Sequence, residues 1–178
     1  MSKLNSTFIK INFDKDLLSS NNLLNSKINN LNILVIGGAG TIGSSYIKQI
    51  LKHNPSKLTV VDINENGLTE LTRDLRSSNL LDYNPEYITY PVNLLSDTFD
   101  KVFNSESWQV VANFSAHKHV RSEKDKISVE ALIKNNVFGA IKLLKLCELN
   151  PPKYFFSVST DKAANPVNIM GASKSLME

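Results

Sequence analysis

Short apolar runs alternate along the chain with longer stretches whose apolar positions have helical spacing. The runs have the length of buried strands and lie at residues 33–36, 58–61, 87–90, 110–114 and 154–158. The helical stretches lie at residues 42–51, 68–76, 98–103 and 128–149, with a last helix from residue 169 to 178. Strand and helix therefore alternate from the first apolar run onwards.

This alternation predicts a parallel sheet, because parallel strands need crossover connections and right-handed crossovers place helices on both faces. We expect an α/β fold, a Rossmann-type doubly wound parallel sheet with strand order 3-2-1-4-5. Residues 32–178 form this domain in our interpretation. Residues 1–31 are rich in asparagine and carry only scattered apolar positions, so we interpret them as an N-terminal extension.

Composition narrows the class of protein. The chain has 178 residues, with 20 Lys and Arg against 17 Asp and Glu, and the net charge of +3 is too small to indicate a nucleic-acid partner. The single cysteine, Cys147, excludes a disulfide framework and a multi-cysteine metal site. His117 and His119 lack an acidic or cysteine partner, so no metal site is expected.

There is no apolar run of roughly 18 residues that could span a membrane and no signal peptide, so we expect a cytoplasmic protein.

A glycine pattern follows the first predicted strand directly. Gly37, Gly40 and Gly43 form G-x-x-G-x-x-G between that strand and the next helix. The first glycine permits a sharp turn, the second the close approach of a pyrophosphate, and the third close packing of helix on strand. Thr41 and Ile42 begin the helix, whose free N–H groups attract an anion. We therefore expect a dinucleotide site, with a ligand-free glycine turn as the alternative.

Asp62 ends the second predicted strand, 22 residues after Gly40. A carboxylate there can accept both ribose hydroxyls of an adenosine and repels a 2′-phosphate, which favours NAD over NADP. NADP stays possible, because Arg73 and Arg76 lie on the next helix, and Asp62 could instead be a turn or cap residue. Asn93, after the third strand, could bind the adenine or be a plain loop residue.

Three later segments complete a pattern with the glycine turn. Their sequences are SAHKHV at residues 115–120, NVFG at residues 136–139, and SVSTDKAANP at residues 157–166 followed by MGASK at residues 170–174. Together they resemble the extended short-chain dehydrogenase/reductase superfamily, and most closely its polysaccharide-biosynthesis branch of UDP-N-acetylglucosamine 4,6-dehydratase type. The resemblance extends from Leu31 to Glu178 and implies an NAD-dependent enzyme acting on a UDP-sugar.

The resemblance also implies the chemistry. Bound NAD oxidises sugar C4, a base removes the C5 proton, an acid protonates the departing 6-hydroxyl, and the cofactor then reduces C6. Thr160 matches the residue that binds the 4-oxygen, Asp161 the acid and Lys162 the base. These roles need a protonated Asp161 and a partly neutral Lys162, and that in turn requires burial and mutual interaction of the two side chains. A surface ion pair is the alternative for these two residues.

Further matches concern the cofactor. Lys174 matches the lysine that holds the nicotinamide ribose, and Asn136 matches the asparagine that supports the catalytic lysine. Ser115 and Ala116 match the small residues that let the cofactor lie close to the chain. Lys118 is a candidate contact for the ribose or for the substrate diphosphate.

Met170 departs from the superfamily, which usually has tyrosine four residues before this lysine. A thioether neither donates nor accepts a proton at neutral pH. A branch of these dehydratases carries methionine here, in which case Asp161, Lys162 or a water must move the C4 proton. A simple core residue is the other interpretation of Met170, since methionine fills irregular gaps.

These matches predict an NAD(P)-dependent nucleotide-sugar 4,6-dehydratase, a lyase, in surface polysaccharide biosynthesis. A related 4-epimerase or reductase would share the cofactor part but would not need the pair Asp161 and Lys162. A non-catalytic NAD-binding module is the third possibility, because of Met170. We expect the sequence to stop before the sixth strand and before the C-terminal substrate part, so that this fragment alone is inactive.

Oligomerisation is also expected. Proteins of this family pair through the long helix and the last helix, and residues 129–149 and 169–176 carry apolar stripes that could form a homo-oligomer. Packing on the sheet explains the same stripes equally well.

Overall fold

The central element is a parallel sheet. The computed structural model describes residues 13–83, 85–117 and 123–178. Within them the strands are β1 Asn32–Ile36, β2 Lys57–Asp62, β3 Glu86–Pro91, β4 Val110–Asn113 and β5 Tyr154–Ser157. Every neighbouring pair is parallel and the order is β3-β2-β1-β4-β5. The predicted doubly wound sheet and its strand order are therefore confirmed.

Helices connect the strands, as the alternation predicts. In chain order they are α1 Phe13–Ser19, α2 Asn21–Ile28, α3 Thr41–Ile50, α4 Glu65–Ser77, α5 Asp97–Asn104, α6 Lys126–Ile133, α7 Gly139–Leu149 and α8 Ile169–Met177. The helices α1 and α2 precede the sheet, and Ile28 and Leu31 pack against its core. Among the described residues, none of the helices is long and apolar enough to cross a bilayer.

The long helix predicted at residues 128–149 is interrupted in the structure. A π-helical turn at Lys134–Phe138 separates α6 from α7. Such a turn widens the helix locally and often occurs at functional sites. Here it contains Asn136, whose side chain is buried. The prediction of one continuous helix is wrong in this detail, because apolar periodicity does not detect a local widening of the helix.

Both faces of the sheet are covered. Ile33 and Val35 of β1 belong to one core cluster, whereas Leu34 and Ile36 belong to another. Because side chains alternate between the two faces along a strand, only a strand buried on both sides is apolar at every position. Double burial therefore explains the continuous apolar run of β1 and its place at the centre of the sheet.

The strand ends determine where a site can form. Ile36 at the end of β1 pairs with Val61 of β2 and with Asn113 of β4, and Asn113 pairs with Ser157 of β5. The loops that leave these four strands therefore start at one edge of the sheet. In an open parallel sheet this edge, at the point where strand order reverses, is where ligands bind.

Candidate functional site

A cleft of about 450 Å³ opens at this edge. The predicted site residues that line it are Gly37, Gly40, Thr41, Ile42, Gly43, Asp62, Asn93, Ser115, Ala116, Thr160, Lys162, Met170 and Lys174. Two predicted residues, Asn136 and Asp161, are not part of its lining. Lys118 lies outside the described residues. Residues from widely separated segments thus meet in one cavity.

The glycine turn leaves no room for side chains at two of its positions. Gly37 has a φ of +74°, and a Cβ there would lie 2.6 Å from the backbone nitrogen of Ser115. A Cβ on Gly43 would lie 2.5 Å from the carbonyl oxygen of Gly37. A Cβ on Gly40 would meet its nearest atom at 3.4 Å, so chain packing alone does not demand glycine at that position.

The N-terminus of α3 is open to an anion. Gly40 caps this helix and supplies no side-chain hydrogen bond to the first-turn N–H groups. Those groups start at Thr41 and Ile42, both of which line the cleft. Uncapped N–H groups and the helix dipole together attract a phosphate.

Asp62 is held in place by two backbone groups. Its Oδ2 accepts a hydrogen bond from the N–H of Ala39 at 2.9 Å, and its Oδ1 accepts one from the N–H of Asn64 at 2.9 Å. The residue thus has the turn contacts of the alternative interpretation while also lining the cleft. Each oxygen keeps acceptor capacity, since a carboxylate has about four lone-pair sites.

Asn93 also takes part in its own loop. Its Oδ1 accepts a hydrogen bond from the N–H of Leu95 at 2.8 Å, as in an Asx turn. The neighbouring wall includes Ile63, which is well exposed although apolar. Ile63 was missed in the sequence analysis. Its position directly after the strand-terminal Asp62 was the available signal.

The segment after β4 is fixed by a buried asparagine that the sequence analysis also missed. Asn113 Oδ1 accepts hydrogen bonds from the N–H of Ser115 at 3.0 Å and from its hydroxyl at 2.6 Å. Asn113 Nδ2 donates to Ser157 Oγ at 3.0 Å. These bonds tie the ends of β4 and β5 together beneath the cleft.

Asn136 is the second buried connector. Its Oδ1 accepts a hydrogen bond from the N–H of His117 at 2.8 Å, and its Nδ2 donates to His117 O at 3.1 Å and to Ser173 Oγ at 2.9 Å. Ser173 Oγ in turn donates to Met170 O at 2.7 Å. The residue therefore supports α8 through Ser173, the neighbour of Lys174, with a side chain that is only 2% exposed.

Residues 160–162 differ from the expectation of a buried pair. Asp161 Oδ1 accepts a hydrogen bond from Thr160 Oγ1 at 2.9 Å and lies 3.8 Å from Lys162 Nζ. The side chain of Asp161 is 88% exposed and that of Lys162 is 52% exposed. The Thr160 hydroxyl and then the Lys162 charge hold the pKa of Asp161 below its usual value. Asp161 and Lys162 therefore form the surface pair that the sequence left as the alternative, and the burial that the catalytic roles need is absent at Asp161, because the segment leaves the sheet at its solvent-facing edge.

The first two turns of α8 carry the buried part of the site. Met170 is 5% exposed, and its N–H donates to Glu123 Oε1 at 2.8 Å. Lys174 is also 5% exposed, and its Nζ donates to Val158 O at 3.0 Å. Burial lowers the pKa of Lys174. The sequence offered no signal for Glu123, which anchors α8 from a distant loop.

These residues fit a dinucleotide. The uncapped N-terminus of α3 suits a pyrophosphate, Asp62 suits a ribose, and the small residues Ser115 and Ala116 leave space between them and β5. Ser159 also lines the cleft, and its Oγ is buried and has no partner among the described residues. A buried hydroxyl without a partner is costly, so a bound ligand would satisfy it. No cluster of metal-binding side chains occurs in the described part of the chain.

The role of Asn136 as a connector predicts a loss of stability on truncation. Asn136→Ala removes bonds to His117 and Ser173 and leaves buried groups unpaired, which should lower the free energy of unfolding by about 1–3 kcal/mol. Urea denaturation measures this change. The control Asn135→Ala removes a single hydrogen bond, from the half-buried Asn135 Nδ2 to Asn136 Oδ1 at 3.2 Å, and should cost much less. Equal effects of the two substitutions would contradict the assignment.

The comparisons with known proteins show which family the chain resembles. A family model described as polysaccharide biosynthesis protein matches residues 33–178. An uncharacterized membrane protein of Methanocaldococcus jannaschii is 36% identical over 149 residues, covering 82% of this chain and 41% of that protein. A UDP-N-acetylglucosamine 4,6-dehydratase (inverting) of Campylobacter jejuni is 31% identical over 150 residues, again covering 82% of this chain and 41% of that protein.

The fold of the chain is also similar to that of a solved structure. The X-ray structure of Pen from Bacillus thuringiensis superposes with a TM-score of 0.73 at 26% identity, and the match covers 84% of this chain and 44% of that one. The chain therefore spans less than half of the length of these similar proteins.

Proposed function

The chain belongs to the polysaccharide biosynthesis protein family, and on this premise we propose that it forms the NAD-binding and catalytic part of a nucleotide-sugar 4,6-dehydratase acting on UDP-N-acetylglucosamine. One observation carries the proposal. The glycine turn, Asp62, Thr160, Lys162 and Lys174 line a single cleft. A dinucleotide seated on the turn with its adenosine ribose at Asp62 would bring its nicotinamide to the lysines.

In the proposed complex, cofactor binding divides between two groups of residues. The N–H groups at the start of α3 hold the pyrophosphate, and Asp62 accepts the ribose hydroxyls. We propose NAD as the cofactor and not NADP, because the Asp62 carboxylate repels a 2′-phosphate. Arg73 and Arg76 lie on α4 and are not among the residues that line the cleft, so neither offsets this repulsion.

The proposed reaction uses the other end of the cleft. Bound NAD supplies the oxidising equivalents at sugar C4 and later the reducing equivalents at C6. Thr160 Oγ1 binds the 4-oxygen, and Lys174 orients the nicotinamide ribose from its buried position. Lys162 removes the C5 proton, which the 4-keto group makes acidic, and Asp161 protonates the departing 6-hydroxyl.

Asp161 needs the substrate for this role. Its carboxyl is exposed and its pKa is held down in the free chain, so it is ionised at neutral pH. A sugar seated over Thr160 would exclude water from Asp161, and desolvation raises the pKa of a carboxyl group. The acid therefore forms as the sugar binds.

A 4-epimerase is the second candidate, and the exposure of Asp161 favours it. An epimerase oxidises and reduces C4 without eliminating water, so it needs no acid at this position. The two functions differ in product, because an epimerase returns a sugar that keeps its 6-hydroxyl.

Removal of the Asp62 charge tests the cofactor assignment. Asp62→Asn should weaken NAD binding about tenfold, since a hydrogen bond to a charged group contributes about 1.5–3 kcal/mol, and should narrow the preference for NAD over NADP. Isothermal titration calorimetry with both dinucleotides measures the effect. The control Asp82→Asn changes an exposed carboxylate that does not line the cleft and should leave both affinities unchanged. Unchanged NAD affinity in Asp62→Asn would exclude the assigned ribose contact.

Product analysis tests the reaction. The full-length gene product, incubated with NAD and UDP-N-acetylglucosamine, should yield a 4-keto-6-deoxy sugar detectable by NMR. Lys162→Ala should lower the rate by at least about 10²-fold, because proton removal by a positioned base contributes 10²–10⁴-fold. Lys153→Ala, at an exposed lysine beside Tyr154, is the matched control. Absence of turnover by the wild type, or full activity of Lys162→Ala, would contradict the dehydratase; an epimerised product would support the second candidate.

We also propose that the protein assembles as a homo-oligomer through the long helix, from α6 through the π-helical turn to α7, and the last helix, α8. Phe138 in the π-helical turn, Ile141 and Leu144 in α7, and Leu176 in α8 are exposed although apolar. Ile141→Lys should shift a dimer towards monomer in size-exclusion chromatography with light scattering, because a charge would be buried in the contact. Leu18→Lys on α1, at another exposed apolar position, is the control. A monomeric wild type, or a dimer that survives Ile141→Lys, would contradict the proposed contact.

A further inference from the structure

Oxidation of the sugar at C4 releases a proton from the 4-hydroxyl as well as the hydrogen on carbon. A group in the cleft has to accept that proton, since an alkoxide is too basic to form unaided near neutral pH. This need for a base rests on the proposed function. What has to be identified is the side chain of the cleft that is free to act as that base.

The side chains closest to the proposed reaction centre are poor acceptors of this proton. Neither the Met170 thioether nor the Thr160 hydroxyl has useful basicity, and the Thr160 hydroxyl donates to Asp161. Lys162 is assigned to the C5 proton in the following step. Lys174 Nζ is turned to the Val158 carbonyl at 3.0 Å and to Met177 Sδ at 3.4 Å.

His117 lines the same cleft and has no role in the mechanism so far. Its backbone N–H and carbonyl both bond to the Asn136 side chain, at 2.8 and 3.1 Å. Asn136 bonds to Ser173, and Ser173 bonds to the carbonyl of Met170. A continuous chain of hydrogen bonds thus fixes His117 against the start of α8.

The imidazole of His117 is available for chemistry. Its backbone is anchored independently of its side chain, and the imidazole has no hydrogen-bond or ion-pair partner among the residues that the structure describes. Neutral imidazole accepts a proton on one ring nitrogen, and histidine is the side chain most often used for general base catalysis. Of the histidines that the structure describes, it is the one that lines the cleft.

We propose that His117 is the base that accepts the proton of the sugar 4-hydroxyl. The O–H bond breaks, the proton moves to the unprotonated ring nitrogen, and the oxygen electron pair forms the C4 carbonyl. The hydrogen on C4 leaves with its electron pair to the oxidised nicotinamide dinucleotide. When hydride adds to C6, Lys162 returns its proton to C5 of the resulting enolate. Asp161 loses a proton when water departs, and the proton held by His117 restores it through solvent, so the cycle releases no net proton.

Kinetics of the full-length gene product tests this assignment. His117→Gln should lower kcat about 10²-fold or more and leave KM within about threefold, as expected for loss of a general base. NAD affinity should not change, because the bonds to Asn136 come from the backbone of His117. His53→Gln is the matched control, since His53 bonds to Asn25 outside the cleft and its replacement should leave kcat unchanged.

A second readout does not depend on turnover. In protein labelled with ¹⁵N-histidine and loaded with NADH, which cannot oxidise the sugar, UDP-N-acetylglucosamine should shift the imidazole nitrogens of His117. The corresponding UDP-4-deoxy sugar should shift them much less, because it lacks the hydroxyl that bonds to the imidazole. Spectra of His117→Gln assign the signals.

The outcomes separate this inference from the proposed function. If the wild type turns over and His117→Gln retains kcat within about threefold, His117 is not the base. The dehydratase proposal then stands, with a water or Lys174 as the base. If His117→Gln loses activity and NAD affinity together, and the His117 imidazole shows no shift that depends on the 4-hydroxyl, His117 has a structural role. That result would also overturn its role as the base. Absence of wild-type turnover would overturn the proposed function, and the role of His117 with it.

Discussion

The cleft depends on one close approach, between the turn that ends β1 and the segment that follows β4. A Cβ at Gly37 would lie 2.6 Å from Ser115 N, so the two backbones touch where any other residue would separate them. Since β1 lies between β2 and β4, this contact occurs where the strand order reverses. It forms the floor of the cleft and aims the N-terminus of α3 into it. The positions of Asp62, on one side, and of β5, on the other, follow from the same strand pairing.

Burial divides the polar groups of the site into two kinds. Asn113, Asn136 and Ser173 are buried; Asn113 bonds to Ser157 and Asn136 bonds to Ser173, so they set positions and are not exposed to ligand. Asp161 and Lys162 lie at the rim, where water screens their charges. Chemistry at the rim requires a substrate that displaces this water, whereas the buried frame exists before any ligand arrives. The site thus combines a buried, hydrogen-bonded base with a solvent-exposed rim.

Local patterns account for what the sequence could predict. The burial of β1 on both faces produces a continuous apolar run, and the lack of space at Gly37 and Gly43 demands glycine, so both leave a readable signal. The bonds from Glu123 to Met170 and from Asn136 to Ser173 join residues 47 and 37 positions apart, and no local pattern reports such contacts. The sequence left open whether Asp161 is buried or part of a surface ion pair, because the motif around it specifies residue types but not how the segment leaves the sheet.

The central claim is that a dinucleotide binds on the glycine turn. Titration of the ¹⁵N-labelled chain with NAD, monitored by NMR through the backbone amide shifts, tests this claim most directly. If the cleft is a dinucleotide site built on the N-terminus of α3, the largest saturable shifts will occur at Thr41, Ile42, Asp62 and Ser115. Absence of saturable shifts, or shifts that cluster away from these residues, would contradict a cofactor seated on the glycine turn.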